Sequence, residues 1–324
     1  MPEGHTIHRH ARDQRKLMQG KALAVSSPQG RFERADTLDG RRLLDVEAWG
    51  KHLVYVFEGP EPRRVHVHLG LFGKFRRHRV PAPPPRATCR MRLVSETHAL
   101  DLVGPTACEL IDEAALVTLL ARLGPDPLRD DADRAAALAR LQRTRASIGA
   151  ALLDQSVLAG VGNVYRAEAL HACGIHPDVR AGSVPRAGLE RLWDTLVTML
   201  RRGVREGRIV TAVDFAKGEK RRRVPRHEAL VVYGRRSCRR CGSPVRRWLV
   251  RQRWAYACET CQPPPSAVPE ARAASVSPRT RPASATPERN APSTRPPLAQ
   301  SPPSPTRTSS SKSAPRSSGR RARA

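Results

Sequence analysis

Across residues 5–19 the apolar positions Ile7, Ala11, Leu17 and Met18 fall on one face of a helix, with Thr6 placed to cap it and Gly20 where it should stop. From about 22 to 110 the pattern changes. Runs such as "KALAVSS", "RRLLDVEAWG", "HLVYVFEG", "RVHVHLGLFGKF", "CRMRLVS" and "HALDLVG" often alternate apolar and polar residues, and several of the turns between them contain Gly or Pro. This predicts six or more short strands, hence a sandwich or a barrel.

Near 110 the apolar spacing lengthens to three and four. "DEAALVTLLARLG", "DADRAAALARLQR", "SIGAALLDQSVLAG", "VYRAEALHACG" and "GLERLWDTLVTMLRRGVREG" predict a helical domain. Between two of these segments lies Ala159-Gly160-Val161-Gly162-Asn163. The glycines permit positive φ and close backbone approach, and Asn163 is placed to cap the next helix. A Gly-rich turn at a helix start suits a phosphate, although a plain helix–helix turn is the commoner meaning.

Four cysteines then stand close together. Cys238 and Cys241 form one CxxC pair, Cys258 and Cys261 another, on either side of residues 242–257. Two such knuckles suit one tetrahedral zinc ion, and four thiolates leave no open coordination position, so the metal should be structural. A redox pair or an iron–sulfur site is the competing reading. The segment between the pairs interleaves Arg246, Arg247, Arg251 and Arg253 with Trp248, Trp254 and Tyr256. It reads as a hairpin that presses cations onto phosphates, or as a solvated hairpin whose aromatics pack on the knuckles. Cys89, Cys108 and Cys173 are scattered and read as small buried residues.

Charge sharpens this picture. In 324 residues, 58 Lys and Arg face 30 Asp and Glu, a net of +28. The segment 262–324 accounts for +9 of it and leaves +19 for the rest, so the body of the protein is itself suited to a polyanion. From Gln262 onward there are no aromatic residues, and Pro, Ser, Arg, Ala and Thr dominate, which predicts a disordered basic tail. No run reaches the length of a membrane span, and the charged first 20 residues lack a secretory core, so a cytoplasmic protein is expected.

"MPEGHT", "GKHL", "HLGLFG", "RLGPDPL", "LLDQSVLAGVGNVYRAEAL" and the four-cysteine segment occur in an order that resembles the formamidopyrimidine-DNA glycosylase / endonuclease VIII family, over about residues 1–262. "MPEGHT" and "SSPQGRF" look like the endonuclease VIII branch, actinobacterial members above all. The resemblance implies an α+β multidomain protein. It would have an N-terminal two-sheet β-sandwich with flanking helices (1–112), a helix–two-turn–helix DNA-binding domain (113–227), a zinc finger (228–262) and a disordered tail (263–324).

It also implies an activity: a bifunctional DNA glycosylase and abasic-site lyase of base excision repair. Such an enzyme removes oxidised bases, here more in keeping with pyrimidines, and cleaves the strand by β,δ-elimination. Its partner would be double-stranded DNA with a damaged base or an abasic site, and the protein a bacterial, nucleoid-associated monomer. Removal of Met1 leaves Pro2 as a secondary amine, whose pKa of about 8 keeps part of it neutral near pH 7. The resemblance assigns Pro2 the attack on the sugar carbon. A helix N-terminus beside it would lower its pKa further, and Glu3 would move protons. Lys51 matches a lysine that grips phosphate and assists β-elimination. Arg253 matches the finger arginine that assists δ-elimination, but Gln252 stands where the family usually has Gly, which makes Arg251 the fallback.

Leu71 and Phe72 match a loop that fills the space left by an everted base, beside Gly70 where many relatives carry a polar residue. Arg122, Gly162 and Asn163 fall at DNA-binding positions. Lys217, Lys220, Arg221, Arg222 and Arg223 lie in a loop that would close near the base, or are simply solvated. The alternatives are action on oxidised purines or on abasic sites alone, a non-catalytic DNA-binding zinc protein of the same fold, and an RNA-binding zinc ribbon, which leaves the terminus unexplained.

Overall fold

The computed structural model describes residues 2–212 and 224–265. They belong to a compact unit, Met1–Val268; a second unit, Pro269–Ala324, lies outside the described residues. So do Lys217, Lys220, Arg221, Arg222 and Arg223, and the expected tail from 266 onward.

Helix α1 (Gly4–Met18) buries Ile7, Ala11 and Met18 and packs Leu17 at the margin of the core, the face its spacing predicts. Its cap differs from expectation. The N-cap position is Glu3, and the Thr6 hydroxyl instead meets His5 Nε2 at 3.2 Å, because the helix begins three residues before the first apolar position, Ile7.

Eight strands follow: β1 (Ala24–Ser26), β2 (Leu43–Trp49), β3 (His52–Phe57), β4 (Arg64–His68), β5 (Lys74–Arg79), β6 (Cys89–Val94), β7 (His98–Val103) and β8 (Ala107–Ile111). They form two antiparallel sheets, ordered β1-β6-β7-β5 and β2-β3-β4-β8. Leu53, Tyr55 and Phe57 from β3, Val65 and Val67 from β4, and Met91, Leu93, Leu100 and Leu102 from the other sheet fill one core with α1. Each of these side chains contributes about 1.5–3 kcal/mol of burial. The run "RVHVHLGLFGKF" is not one strand: β4 ends in one sheet and β5 begins in the other. The crossing at 69–73 is held by Gly73 N donating to Leu69 O at 2.8 Å.

The helical part comprises α2 (Glu113–Ala121), α3 (Arg134–Arg143), α4 (Ile148–Ala151), α5 (Asn163–Ala172) and α6 (Arg186–Glu206). Asp112, Asp133 and Ser147 cap α2, α3 and α4 through their side chains. The helix expected through "SIGAALLDQSVLAG" is a single turn. Beyond Ala151 the chain winds through turns in which Asp154 O accepts from Val157 N and Leu158 N. Leu152, Leu158 and Val161 are nonetheless fully buried, so their spacing serves packing rather than helix periodicity.

A hairpin of β9 (Arg246–Val250) and β10 (Arg253–Ala257) carries the finger. Arg166, buried on α5, donates to Trp254 O at 2.8 Å and seats the hairpin on the helical core. Buried Glu168 accepts from Val231 N, Val232 N and Tyr233 N at 2.8–2.9 Å and anchors the chain entering the finger. Gln262, expected to begin the tail, is fully buried; it donates to Ile175 O at 2.7 Å and accepts from Cys258 N. Cys89 and Cys108 are buried as expected, while Cys173 is only half-buried. Among the described residues no helix is long and apolar enough to cross a membrane.

Candidate active site

The junction before α5 meets the chain's N-terminal end and the β2–β3 turn. Gly160 takes φ +88° and lies against Gly4 and Gly50; a Cβ on Gly4 would stand 2.9 Å from Gly160 Cα. Gly4 N donates to Gly160 O at 2.8 Å. Asp126 ties the same corner, since its Oδ2 accepts from Gly50 N and from His8 Nε2, each at 2.7 Å. Nothing in the local pattern singled out Asp126 beyond its place in "RLGPDPL".

Glu3 is completely buried in this corner. Its carboxylate accepts from Gly162 N at 3.0 Å and Val164 N at 2.9 Å, and from Tyr165 N at 3.5 Å. It therefore caps α5 from far away in sequence. Gly162, with extended backbone, is needed for space: a Cβ there would stand 2.3 Å from Glu3 Cδ. These contacts correct two expectations. Gly162, not Asn163, occupies the N-cap position, and these first amides of α5 are engaged by a carboxylate rather than left for phosphate. Asn163 instead donates through Nδ2 to Trp254 O at 3.0 Å, next to Arg253, while its Oδ1 is buried without a partner among the described residues.

Burial pushes the Glu3 pKa above its ordinary 4.5, against the pull of Lys51 and of the three amides. Lys51, at the β2–β3 turn, donates to Val161 O at 2.7 Å. Burial brings its pKa down to about 8; Glu3 opposes that fall and Arg253 adds to it. A cavity of about 250 Å³ is lined by Pro2, Glu3, Lys51, His68, Leu71, Gly162, Asn163 and Arg253, among others. The sequence-expected nucleophile, proton carrier and two cations thus share one cavity.

Arg253 and Arg251 are separated by the hairpin turn. Arg251 and Gln252 take φ of +46° and +58°, the handedness of a two-residue type I′ turn, so Gln252 occupies the conformation that glycine would supply. Arg251 pairs with Asp154 at 3.1 Å and is not among the residues lining the cavity. Arg253 lines the cavity. Leu71 and Phe72 stand at the tip of the 69–73 loop, 58% and 83% exposed. Arg122 is exposed at the end of α2 and is not among the residues lining the cavity.

A second cavity of about 580 Å³ shares Pro2 and is lined by His5, Thr6, His10, Lys74 and Phe75, among others. Burial lowers the His5 and His10 pKa values to about 4, so both rings are neutral near pH 7. A larger cleft of about 880 Å³ between α1, β2 and residues 128–131 is lined largely by charges that pair with one another, such as Arg15 with Asp45 and Arg129 with Asp131; it lacks the N-terminal residues and Lys51.

The sulfur atoms of Cys238, Cys241, Cys258 and Cys261 all lie within 4.8 Å of one another, with Cys241 Sγ 3.4 Å from Cys258 Sγ. Tetrahedral Zn–S bonds of about 2.3 Å place sulfurs about 3.8 Å apart, so the four donors fit a zinc finger. His171 Nε2 lies 3.3 Å from Cys238 Sγ behind them.

Comparison with known proteins agrees with this geometry. The formamidopyrimidine-DNA glycosylase N-terminal domain matches residues 1–107, and the formamidopyrimidine-DNA glycosylase H2TH domain matches residues 123–214. Endonuclease 8 1 of Mycobacterium tuberculosis is 41% identical over 269 residues, 81% of this chain and all of that protein. The formamidopyrimidine-DNA glycosylase of Thermomicrobium roseum is 34% identical over 242 residues, 68% of this chain and 82% of that protein. Among solved structures, the Lactococcus lactis Fpg complexed with abasic-site DNA superposes with a TM-score of 0.66 at 22% identity, covering 81% of this chain and all of that one. At that identity the likeness concerns the fold.

Proposed function

The chain belongs to the formamidopyrimidine-DNA glycosylase / endonuclease VIII family of DNA N-glycosylases and abasic-site lyases, and on that premise we propose that it excises oxidised bases, pyrimidines first, through a Schiff base on Pro2. The observation that carries this reading is the shared cavity of Pro2, Glu3, Lys51 and Arg253, with a buried carboxyl of raised pKa beside the N-terminal residue.

The steps follow from those groups. With Met1 removed, the neutral Pro2 amine attacks the anomeric sugar carbon, the glycosidic bond breaks, and the base leaves with the proton that the amine gives up. Protonated Glu3 gives its proton to the ring oxygen as the sugar opens, and an iminium remains on Pro2. Loss of a proton from the neighbouring sugar carbon expels the 3′ phosphate, and a second elimination expels the 5′ phosphate. Lys51 and Arg253 hold those phosphates as charge moves onto them. The everted base enters the cavity formed by His5, Thr6, His10, Lys74 and Phe75, and Leu71 and Phe72 fill the space it leaves. Asn163 fixes the Trp254 carbonyl and with it the position of Arg253.

Cys238, Cys241, Cys258 and Cys261 would hold one zinc ion, which supplies folding energy to the hairpin and no open coordination position. The reading is completed by a monomer acting on duplex DNA in the bacterial cytoplasm. Strand cleavage is to be compared on duplexes holding one oxidised pyrimidine, one oxidised purine or one abasic site. Fastest release of the pyrimidine supports the reading. Cleavage of the abasic duplex alone contradicts its glycosylase half.

A further inference from the structure

Three histidines on the outer face of the β2-β3-β4-β8 sheet have no part in the steps above. His66 on β4 stands opposite Glu109 on β8, and His68 stands opposite His52 on β3. His66 Nδ1 meets Glu109 Oε1 at 2.8 Å, and His66 Nε2 meets His52 Nδ1 at 2.8 Å. The His52 ring stacks on His66, centroids 5.1 Å apart, and lies 5.0 Å from the ring of His68. His66 is 8% exposed and Glu109 58% exposed, so the chain runs from solvent into the sheet and out to His52. His52 Nε2 has no hydrogen-bond partner among the described residues. The groups acting on His52 are His66, His68, Arg122 and Lys51.

One proton must lie between two ring nitrogens at 2.8 Å, and ionised Glu109 accepts only, so His66 Nδ1 carries a hydrogen. With both rings neutral, the shared hydrogen belongs to His52 Nδ1, and His52 Nε2 is a bare acceptor. A single added proton reverses this. It settles on His52 Nε2, the shared hydrogen passes to His66 Nε2, and the positive charge rests on His66 beside Glu109.

We propose that the Glu109–His66–His52 relay makes His52 Nε2 a hydrogen-bond donor to a DNA backbone phosphate near Lys51 and Arg122, with one proton taken up from solvent as DNA binds. This rests on the reading that DNA lies along the Lys51 side of the cavity. Without DNA the proton is not held: burial first, then His66, His68, Arg122 and Lys51, press the His52 pKa down to about 3. A phosphate supplies the negative charge that this surface lacks. His66 and Glu109 act through His52 and are positioning residues.

The test is equilibrium binding of the full-length protein to a duplex with an uncleavable tetrahydrofuran abasic analogue, from about pH 5.5 to 8.5. Wild type, His52→Gln and Glu109→Gln are compared. Wild-type affinity is expected to weaken as pH rises, most steeply at the acid end of this range, with tenfold per unit as the upper limit from this proton. Gln at 52 keeps a permanent donor at the Nε2 position, so that variant should bind at high pH at least as tightly as wild type, with a slope smaller by about one proton. Glu109→Gln removes the charge that holds the proton on His66, and should shift the wild-type transition to lower pH. Exposed Glu109 tolerates the change, so this variant decides the matter even if His52→Gln folds poorly. A transition at the same pH in wild type and Glu109→Gln overturns the relay while leaving the Pro2 chemistry standing. Wild-type protein that binds no abasic duplex at any pH overturns both.

Discussion

The Glu3 carboxylate accepts a hydrogen bond from the Gly162 amide at 3.0 Å, across 159 residues of sequence. One contact thereby joins the proposed proton carrier to the start of α5 and leaves Pro2 at the cavity wall. Gly162→Ala would place a Cβ 2.3 Å from Glu3 Cδ. It is expected to lower the single-turnover rate of base release by about 100-fold, the scale of an ångström's misplacement. Rates within twofold of wild type, in protein with an unchanged melting profile, would show that Glu3 need not sit at α5.

The raised Glu3 pKa has a pH signature. The protonated form is the acid, so base release should fall as pH rises through that raised value, and Glu3→Gln should be slow with this limb absent. Stability moves the same way. A carboxyl whose folded pKa lies above its ordinary 4.5 stabilises the fold most below 4.5, and that contribution is lost as pH rises through the folded value. Glu3→Gln is therefore expected to melt higher than wild type near pH 8, by about 2–4 °C for a gain of roughly 1 kcal/mol. A lower melting temperature would mean that the ionised carboxylate is a net stabiliser of the corner.

The two finger arginines should separate cleanly. Arg253→Ala is expected to reduce strand cleavage by about 100-fold, on the scale of a lost transition-state contact. Arg251→Ala removes an exposed pair with Asp154, worth at most about 1 kcal/mol, and should leave cleavage near wild type. The opposite ranking, measured on one abasic duplex, would make Arg251 the functional arginine.

The turn itself offers a stability test. Gln252 sits at φ +58°, where a side chain costs about 1–2 kcal/mol. Gln252→Gly should stabilise the finger by roughly 1 kcal/mol with activity retained, and Gln252→Val should destabilise it. Thermal melts of both variants check the sign.

Removing the metal ligands should act through Arg253. Cys258→Ser, or treatment with a strong chelator, is expected to abolish bound zinc and to lower cleavage by at least about 100-fold, while most of the sandwich signal in circular dichroism persists. Full activity in protein shown to be zinc-free would rule out a metal-held hairpin.

Much of this was legible in the sequence because the signals were local. The two CxxC pairs carry their own geometry, and the apolar stripe of Ile7, Ala11 and Met18 is the face that α1 buries. Two failures share one cause. The cap on α5 comes from Glu3, so no local motif announces it, and Asn163 looked the better candidate. Leu152 and Leu158 lie in a run whose apolar spacing reads as helical, yet the chain around them turns so that Gly160 can lie against Gly4. In both cases a tertiary contact overrides the local pattern. The relation between His66 and Glu109 was likewise invisible, since strand register and not spacing brings them together.

The central claim is that the amine of Pro2 is the nucleophile. The most direct test is borohydride trapping on a duplex with a single abasic site. Protein with its native terminus is compared with protein that keeps a few residues before Pro2, which turns the amine into an amide and leaves every side chain in place. A covalent protein–DNA adduct with the native terminus alone is the expected result. Equal trapping by both proteins would contradict the account and move the nucleophile to a lysine, with Lys51 first in line.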